Sequence, residues 1–194
     1  MIEFDFTTEE VKNCKDFAGA MDTSLYAKRN RSSDEKRTFD SYIGKLGEVA
    51  VYKYLKDKVP ELTYPDFKIY KAKEKSWDFD LKGHGYNIHV KTQDLAQGEK
   101  YGTSWIFQYG NGSNRNYDKE IFDQTASNQW VAFVSLDNSK PSGVVRAFVP
   151  LSFLHEKNLW AKPVLKHLQF ANKLAIYLKD LEFYQDRMFP KESN

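Results

Sequence analysis

The chain has 194 residues and a formal net charge of +2, with 29 Lys and Arg set against 27 Asp and Glu. At 41% hydrophobic and 15% aromatic residues it can bury one core, which excludes global disorder, and its length is that of a single domain. The charges are too evenly balanced to name a nucleic-acid partner by themselves, Cys14 as the only cysteine excludes a disulfide framework or a multi-cysteine zinc site, and no apolar run approaches the roughly 20 residues that span a bilayer.

Met1-Ile2-Glu3-Phe4-Asp5 lacks the basic start and apolar stretch of a signal peptide, so a soluble, cytoplasmic protein with no membrane partner is expected. Thr7-Thr8-Glu9-Glu10 is a helix start, a hydroxyl cap followed by carboxylates at the positive end of the helix dipole. Val11, Cys14, Phe17 and Ala18 then recur at helical spacing. Residues 28–37 are polar and cationic and read as a loop leading into a second helix, roughly 34–57. That helix carries Phe39, Ile43, Leu46, Ala50 and Tyr54 on one stripe, with Val51 and Leu55 beside it. Gly44 and Gly47 interrupt it, and each costs about 1 kcal/mol relative to alanine, which points to close packing on a sheet.

Phe67-Lys68-Ile69-Tyr70, Trp77-Asp78-Phe79-Asp80-Leu81, Ile88-His89-Val90-Lys91-Thr92-Gln93 and Trp105-Ile106-Phe107-Gln108 read as strands. The Gly/Asn-rich stretch 109–116, which contains Arg115, reads as a loop. Residues 130–136 are nearly all apolar, as in a central strand buried on both faces. Residues 144–150 return as a strand, and the tail from about 151 holds short helices with one more strand at 174–178. The expectation is a single α/β (α+β) domain, with a core over 36–150, an N-terminal helix and basic loop over 1–35 and a helical tail over 151–194. Trp160, Phe170 and Tyr177 are expected in the core.

The chemistry concentrates in the second and third of these strands. A strand sends alternate side chains to one face, so Asp78 and Asp80 share a face of the first, and His89, Lys91 and Gln93 share a face of the second. With His84 and Gly85 as a two-residue turn, Asp80 faces His89 and Asp78 faces Lys91, whereas a one-residue slip would split the cluster. Two carboxylates, an imidazole, an amine and an amide on one hairpin point to a metal-assisted site.

An acidic residue on one strand, an x-Lys-x-Gln string on the next and the preceding Gly44-Lys45-Leu46-Gly47-Glu48 helix resemble, in that order, the PD-(D/E)xK nucleases over roughly residues 40–135. The resemblance implies a restriction-endonuclease-like fold, a mixed central sheet flanked by helices. It also implies phosphodiester hydrolysis with Mg2+ or Mn2+, DNA as the substrate, a restriction, phage or repair setting, and a homodimer in many members. Carried over residue by residue, Glu48, Asp80, His89, Lys91 and Gln93 would form the catalytic set. Asp80, Glu48, His89 and Asp78 would be the metal ligands, with Asp80 ahead of Asp78. Lys28, Arg29, Arg31, Lys36, Arg37 and Arg115 would contact the nucleic acid.

His89 departs from the pattern, since it stands where the family has a carboxylate. Magnesium prefers oxygen donors, which leaves three readings. His89 takes a softer ion such as manganese, it acts behind the direct ligands Glu48 and Asp80, or it marks an inactive nucleic-acid-binding module on the same fold. A metal hydrolase acting on another substrate ranks below these, because no HExxH-like set is present.

Overall fold

The computed structural model describes residues 2–21, 34–70, 79–109, 122, 128–170, 172–187 and 189. The expectations for Asp78, Lys28, Arg29, Arg31 and Arg115 fall outside these residues, as does most of the Gly/Asn-rich stretch.

Strand β1 (Ile2–Asp5) leads into helix α1 (Thr8–Ala20). Thr7 closes a full capping box: its hydroxyl accepts from Glu10 N at 3.1 Å, and the Glu10 carboxylate accepts from Thr7 N at 2.8 Å. Helix α2 spans Asp34–Leu55. The hairpin β2 (Leu81–Gly83) and β3 (Tyr86–Asp94) follows, then α3 (Leu95–Tyr101) and β4 (Ser104–Gln108). Strands β5 (Gln129–Asp137) and β6 (Ser142–Pro150) precede α4 (Leu151–Glu156), α5 (Lys166–Phe170), β7 (Lys173–Tyr177) and α6 (Leu178–Glu182). None of the described helices is long and apolar enough to cross a membrane.

Five strands form a mixed sheet in the order β1-β6-β5-β3-β2, in which β3 and β5 run parallel and every other pair is antiparallel. Strand β5 lies in the middle, as its continuous apolar run requires. Ala132, Val134 and Leu136 pack into one core with α2, while Val131 and Phe133 pack into a second core with the β4–β7 ribbon and α4. The chain is thus a mixed α+β fold, with helix on one side of the sheet and a second antiparallel pair on the other.

Gly47 sets how closely α2 approaches. A Cβ there would lie 1.9 Å from Thr92 Oγ1, so only glycine lets the helix backbone rest on β3. Gly44 plays no such part, because a Cβ there would meet nothing within 4 Å. The apolar stripe of α2 is as expected from Ile43 through Tyr54, with Tyr42 and Val49 joining it, but Phe39 lies outside it and is 37% exposed.

Several local expectations need correction. Residues 67–70 form no strand. The Asp66 carboxylate accepts from Lys68 N at 2.8 Å, a local turn that competes with extended pairing, and Phe67 stacks on Tyr64. Strand β2 begins at Leu81, where the expected strand ended. The helix expected from about residue 34 does begin at Asp34, so Lys36 and Arg37 lie in its first turns. In the tail Phe170 is 85% exposed instead of buried, while Trp160 packs half-buried against Phe107 and Phe122. Strand β1 and helix α3 have no counterpart among the expected elements.

Gly47→Ala is expected to lower stability by about 1–3 kcal/mol through overpacking against Thr92. Gly44→Ala, in open space inside the same helix, should raise it by about 1 kcal/mol. Urea unfolding of the two variants checks this, and equal effects would contradict the packing described.

Candidate metal and catalytic site

The turn between β2 and β3 has the predicted form. His84 (φ 41°) and Gly85 (φ 79°) both adopt positive φ, as a type I′ turn requires. The register follows: Leu81 faces Ile88, Lys82 faces Asn87 and Gly83 faces Tyr86. Asp80 comes next along the ladder, but backbone pairing stops there. Its amide donates to Ile88 O at 3.1 Å, and its carboxylate Oδ2 accepts from Val90 N at 2.7 Å. The side chain therefore takes the place of a backbone acceptor at the sheet edge. This satisfies an amide that the short strand would otherwise leave unpaired and fixes the carboxylate against the β3 backbone.

The two faces of β3 part company. Ile88 and Val90 pack with the α2 core, and Thr92 meets Gly47. His89, Lys91 and Gln93 point to the opposite face. The His89 ring meets Phe79 edge-on at 5.0 Å, Lys91 Nζ lies 4.7 Å from the centre of the Phe107 ring, and Gln93 Oε1 accepts from Ser104 N at 2.7 Å. Lys91 is thus held over an aromatic face in the β4–β7 layer, and Gln93 ties β3 to the start of β4. Of the expected cationic contacts within the described residues, Lys36 forms an exposed i,i+4 pair with Asp40 at 2.9 Å, a surface interaction of small energetic consequence.

Glu48 arrives from the other side. Because Gly47 seats α2 on β3, the next residue carries its carboxylate into the protein, where it is 13% exposed. Burial, followed by the negative charge of Asp80, pushes its pKa up to about 8, and Lys45 partly offsets both. Asp80, whose carboxylate is fixed on Val90 N, is thus one of the charges that act on Glu48.

Lys45 was not among the candidates. Its Nζ donates to Glu48 Oε2 at 2.6 Å and to Asp66 O at 2.9 Å, and it lies over the rings of Phe17 (4.6 Å) and Phe67 (5.5 Å). Cys14 faces the same cluster, and burial pushes its thiol up to about 12, which makes it an inert packing residue rather than a nucleophile. The sequence did carry a signal for Lys45, an i,i+3 spacing to Glu48. That spacing is common on solvated helix faces, and only burial gives it weight.

Among the described residues no group of three or more His, Cys, Asp or Glu could hold a metal ion. Glu48 and Asp80 fit a more modest role. Magnesium retains several waters and binds through one or two carboxylates, so Asp80 and Glu48 are the oxygen donors that could hold it. Histidine suits manganese better.

The sign of the Glu48 shift gives a stability test. Its pKa is raised from 4.5 to about 8, so between those values the folded state holds a proton that the unfolded state has lost. The stability associated with this group is complete below pH 4.5 and is lost as pH rises through about 8. The wild-type melting temperature should fall across that window, and Glu48→Gln should flatten the fall; parallel curves for the two proteins would contradict the assignment.

No protein-family model matches the chain, and neither does any curated protein or solved structure.

Proposed function

We propose that this protein is a metal-dependent nuclease that hydrolyses phosphodiester bonds in DNA, acting inside the cell in a restriction, phage or repair setting. The observation that carries the reading is the pair Glu48 and Asp80. Asp80 is fixed on the β3 backbone, and its charge acts on Glu48 of the helix packed on that strand, whose opposite face carries His89, Lys91 and Gln93. A divalent ion, when bound, supplies charge that offsets the phosphate and lowers the pKa of a coordinated water. Asp80, oriented by Val90 N, and Glu48, oriented by Lys45, would hold it.

The remaining residues have separable tasks. Lys91 lies over Phe107 on the face of β3 turned away from Glu48, so in this reading its ammonium would have to reach round the strand to stabilise charge developing on the phosphate. Gln93 anchors the far end of the same face through Ser104 N. His89, next to Phe79, would act behind the two carboxylates or serve manganese.

One observation favours a second reading. Lys45 already occupies Glu48 Oε2 within the fold, and His89 stands in place of a carboxylate. Both features suit a nucleic-acid-binding module without catalysis.

A plasmid-nicking assay with Mg2+ and with Mn2+ separates the readings. Wild-type protein should nick DNA, and Asp80→Asn, Glu48→Gln and Lys91→Ala should each lower the rate by roughly a hundredfold. If wild type and all three variants are equally inert yet retard DNA in a gel, the enzyme reading is lost and the binding module stands.

A further inference from the structure

We propose that the rings of Tyr109, Phe122 and Trp160 form a stacking platform for the unpaired bases of a single-stranded nucleic acid, on the side of the sheet that carries Lys91; this rests on the nucleic-acid reading above. The rings form an unbroken row. Tyr109 lies 4.9 Å from Phe122, Phe122 lies 4.8 Å from Trp160, and Trp160 lies 5.1 Å from Phe107, over which Lys91 Nζ sits at 4.7 Å. Phe107 is fully buried, so a row that served the core alone would end there. This one continues outward through the half-buried Trp160 and Phe122 to Tyr109, which is 51% exposed.

Three features suit the row to a base. The rings are held in place before any ligand arrives. Tyr109 N donates to Asn172 O at 2.8 Å, Ala161 beside Trp160 exchanges backbone bonds with Ala175 of β7 at 2.9 and 2.8 Å, and the Trp160 indole donates to His155 Nδ1 at 3.1 Å. Rings ordered in advance lose little entropy on binding. Next, the Tyr109–Phe122 contact is edge-to-face, with the planes at 70°. Such a contact engages at most one face of the tyrosine and leaves a flat face for stacking. Finally, the row ends at the Lys91 ammonium. Sites for single strands combine cations, which take the backbone phosphates, with aromatic faces on which successive bases stack. A duplex offers no such base face, because its bases stack on one another, so the platform selects unpaired strand.

Fluorescence anisotropy of an end-labelled oligodeoxythymidylate tests the platform, with the intact protein in EDTA so that no strand is cut. Wild type should bind the single strand, Tyr109→Ala should weaken that binding by about tenfold, and Tyr109→Phe should leave it near wild type. Neither change should alter binding of a duplex of the same length. Absence of binding by wild type, equal binding by Tyr109→Ala, or an equal loss on the duplex overturns the proposal. So does a loss in Tyr109→Phe as large as that in Tyr109→Ala, which would trace the effect to the hydroxyl. A measurement on wild-type protein needs no variant: saturating single strand should move the Tyr109 ring-proton resonances upfield, and unmoved resonances overturn the stacking. The nuclease reading is judged separately by nicking. A chain that nicks duplex DNA while its affinity for single strands ignores Tyr109 keeps that reading and loses this one, and a chain that binds single strands through Tyr109 without ever cleaving does the reverse.

Discussion

Helix α2 lies against β3 as closely as it does because residue 47 has no side chain. With Thr92 Oγ1 only 1.9 Å from where a Cβ would be, any larger residue would push the helix away from the sheet. The consequences run along the chain in both directions. Val49, Ala50 and Val51 reach full burial one turn later, and Glu48 is driven below the surface next to the end of β2. A helix seated further out would leave Glu48 solvated, with an ordinary pKa and no electrostatic contact with Asp80.

That single approach creates an electrostatic problem which the surrounding elements answer. Helix α1 contributes Phe17, the segment after α2 contributes Asp66 and Phe67, and α2 itself contributes Lys45, so that the buried carboxylate meets an ammonium with its own hydrogen bond and two aromatic faces. At the sheet edge the Asp80 carboxylate closes the β2–β3 ladder by accepting from Val90 N. Each group satisfies a structural requirement of the fold, and the proposed nuclease reading gives each a second role in holding a cation. The tension between those two roles is physical, since a carboxylate that is already hydrogen-bonded is pre-oriented for a cation and partly neutralised against one.

Much of the local organisation could be read from residue types alone. The capping box at Thr7 and Glu10, the two-residue turn at His84 and Gly85, the hairpin register and the central position of β5 all rest on short-range rules, namely capping, positive φ and alternation. The misreadings have two causes. Residues 67–70 have strand composition, but the Asp66 side chain offers the backbone a competing local bond. Asp80 alternates with Asp78 in the sequence, yet it leaves the strand because its carboxylate replaces a ladder acceptor. Phe39 and Phe170 are apolar at helical positions yet remain 37% and 85% exposed. At Asp66 and Asp80 a side-chain interaction overrode a propensity, and at Phe39 and Phe170 the packing left an apolar side chain exposed.

The sequence by itself determined the element types over most of the described chain, the hairpin and its register, and the identity of five polar residues on two neighbouring strands and one helix. Those depend on chemistry within a few residues, where steric and hydrogen-bonding rules act without reference to the rest of the molecule. Only the tertiary structure decided which of these groups act on one another. It set Glu48 against Asp80, turned Lys91 and Gln93 toward the β4–β7 layer, and brought Lys45 into the site as the cation beside Glu48. Burial and through-space charge decide such pairings, and both depend on how closely a helix settles on a sheet, a distance fixed by one glycine and one threonine that lie 45 positions apart.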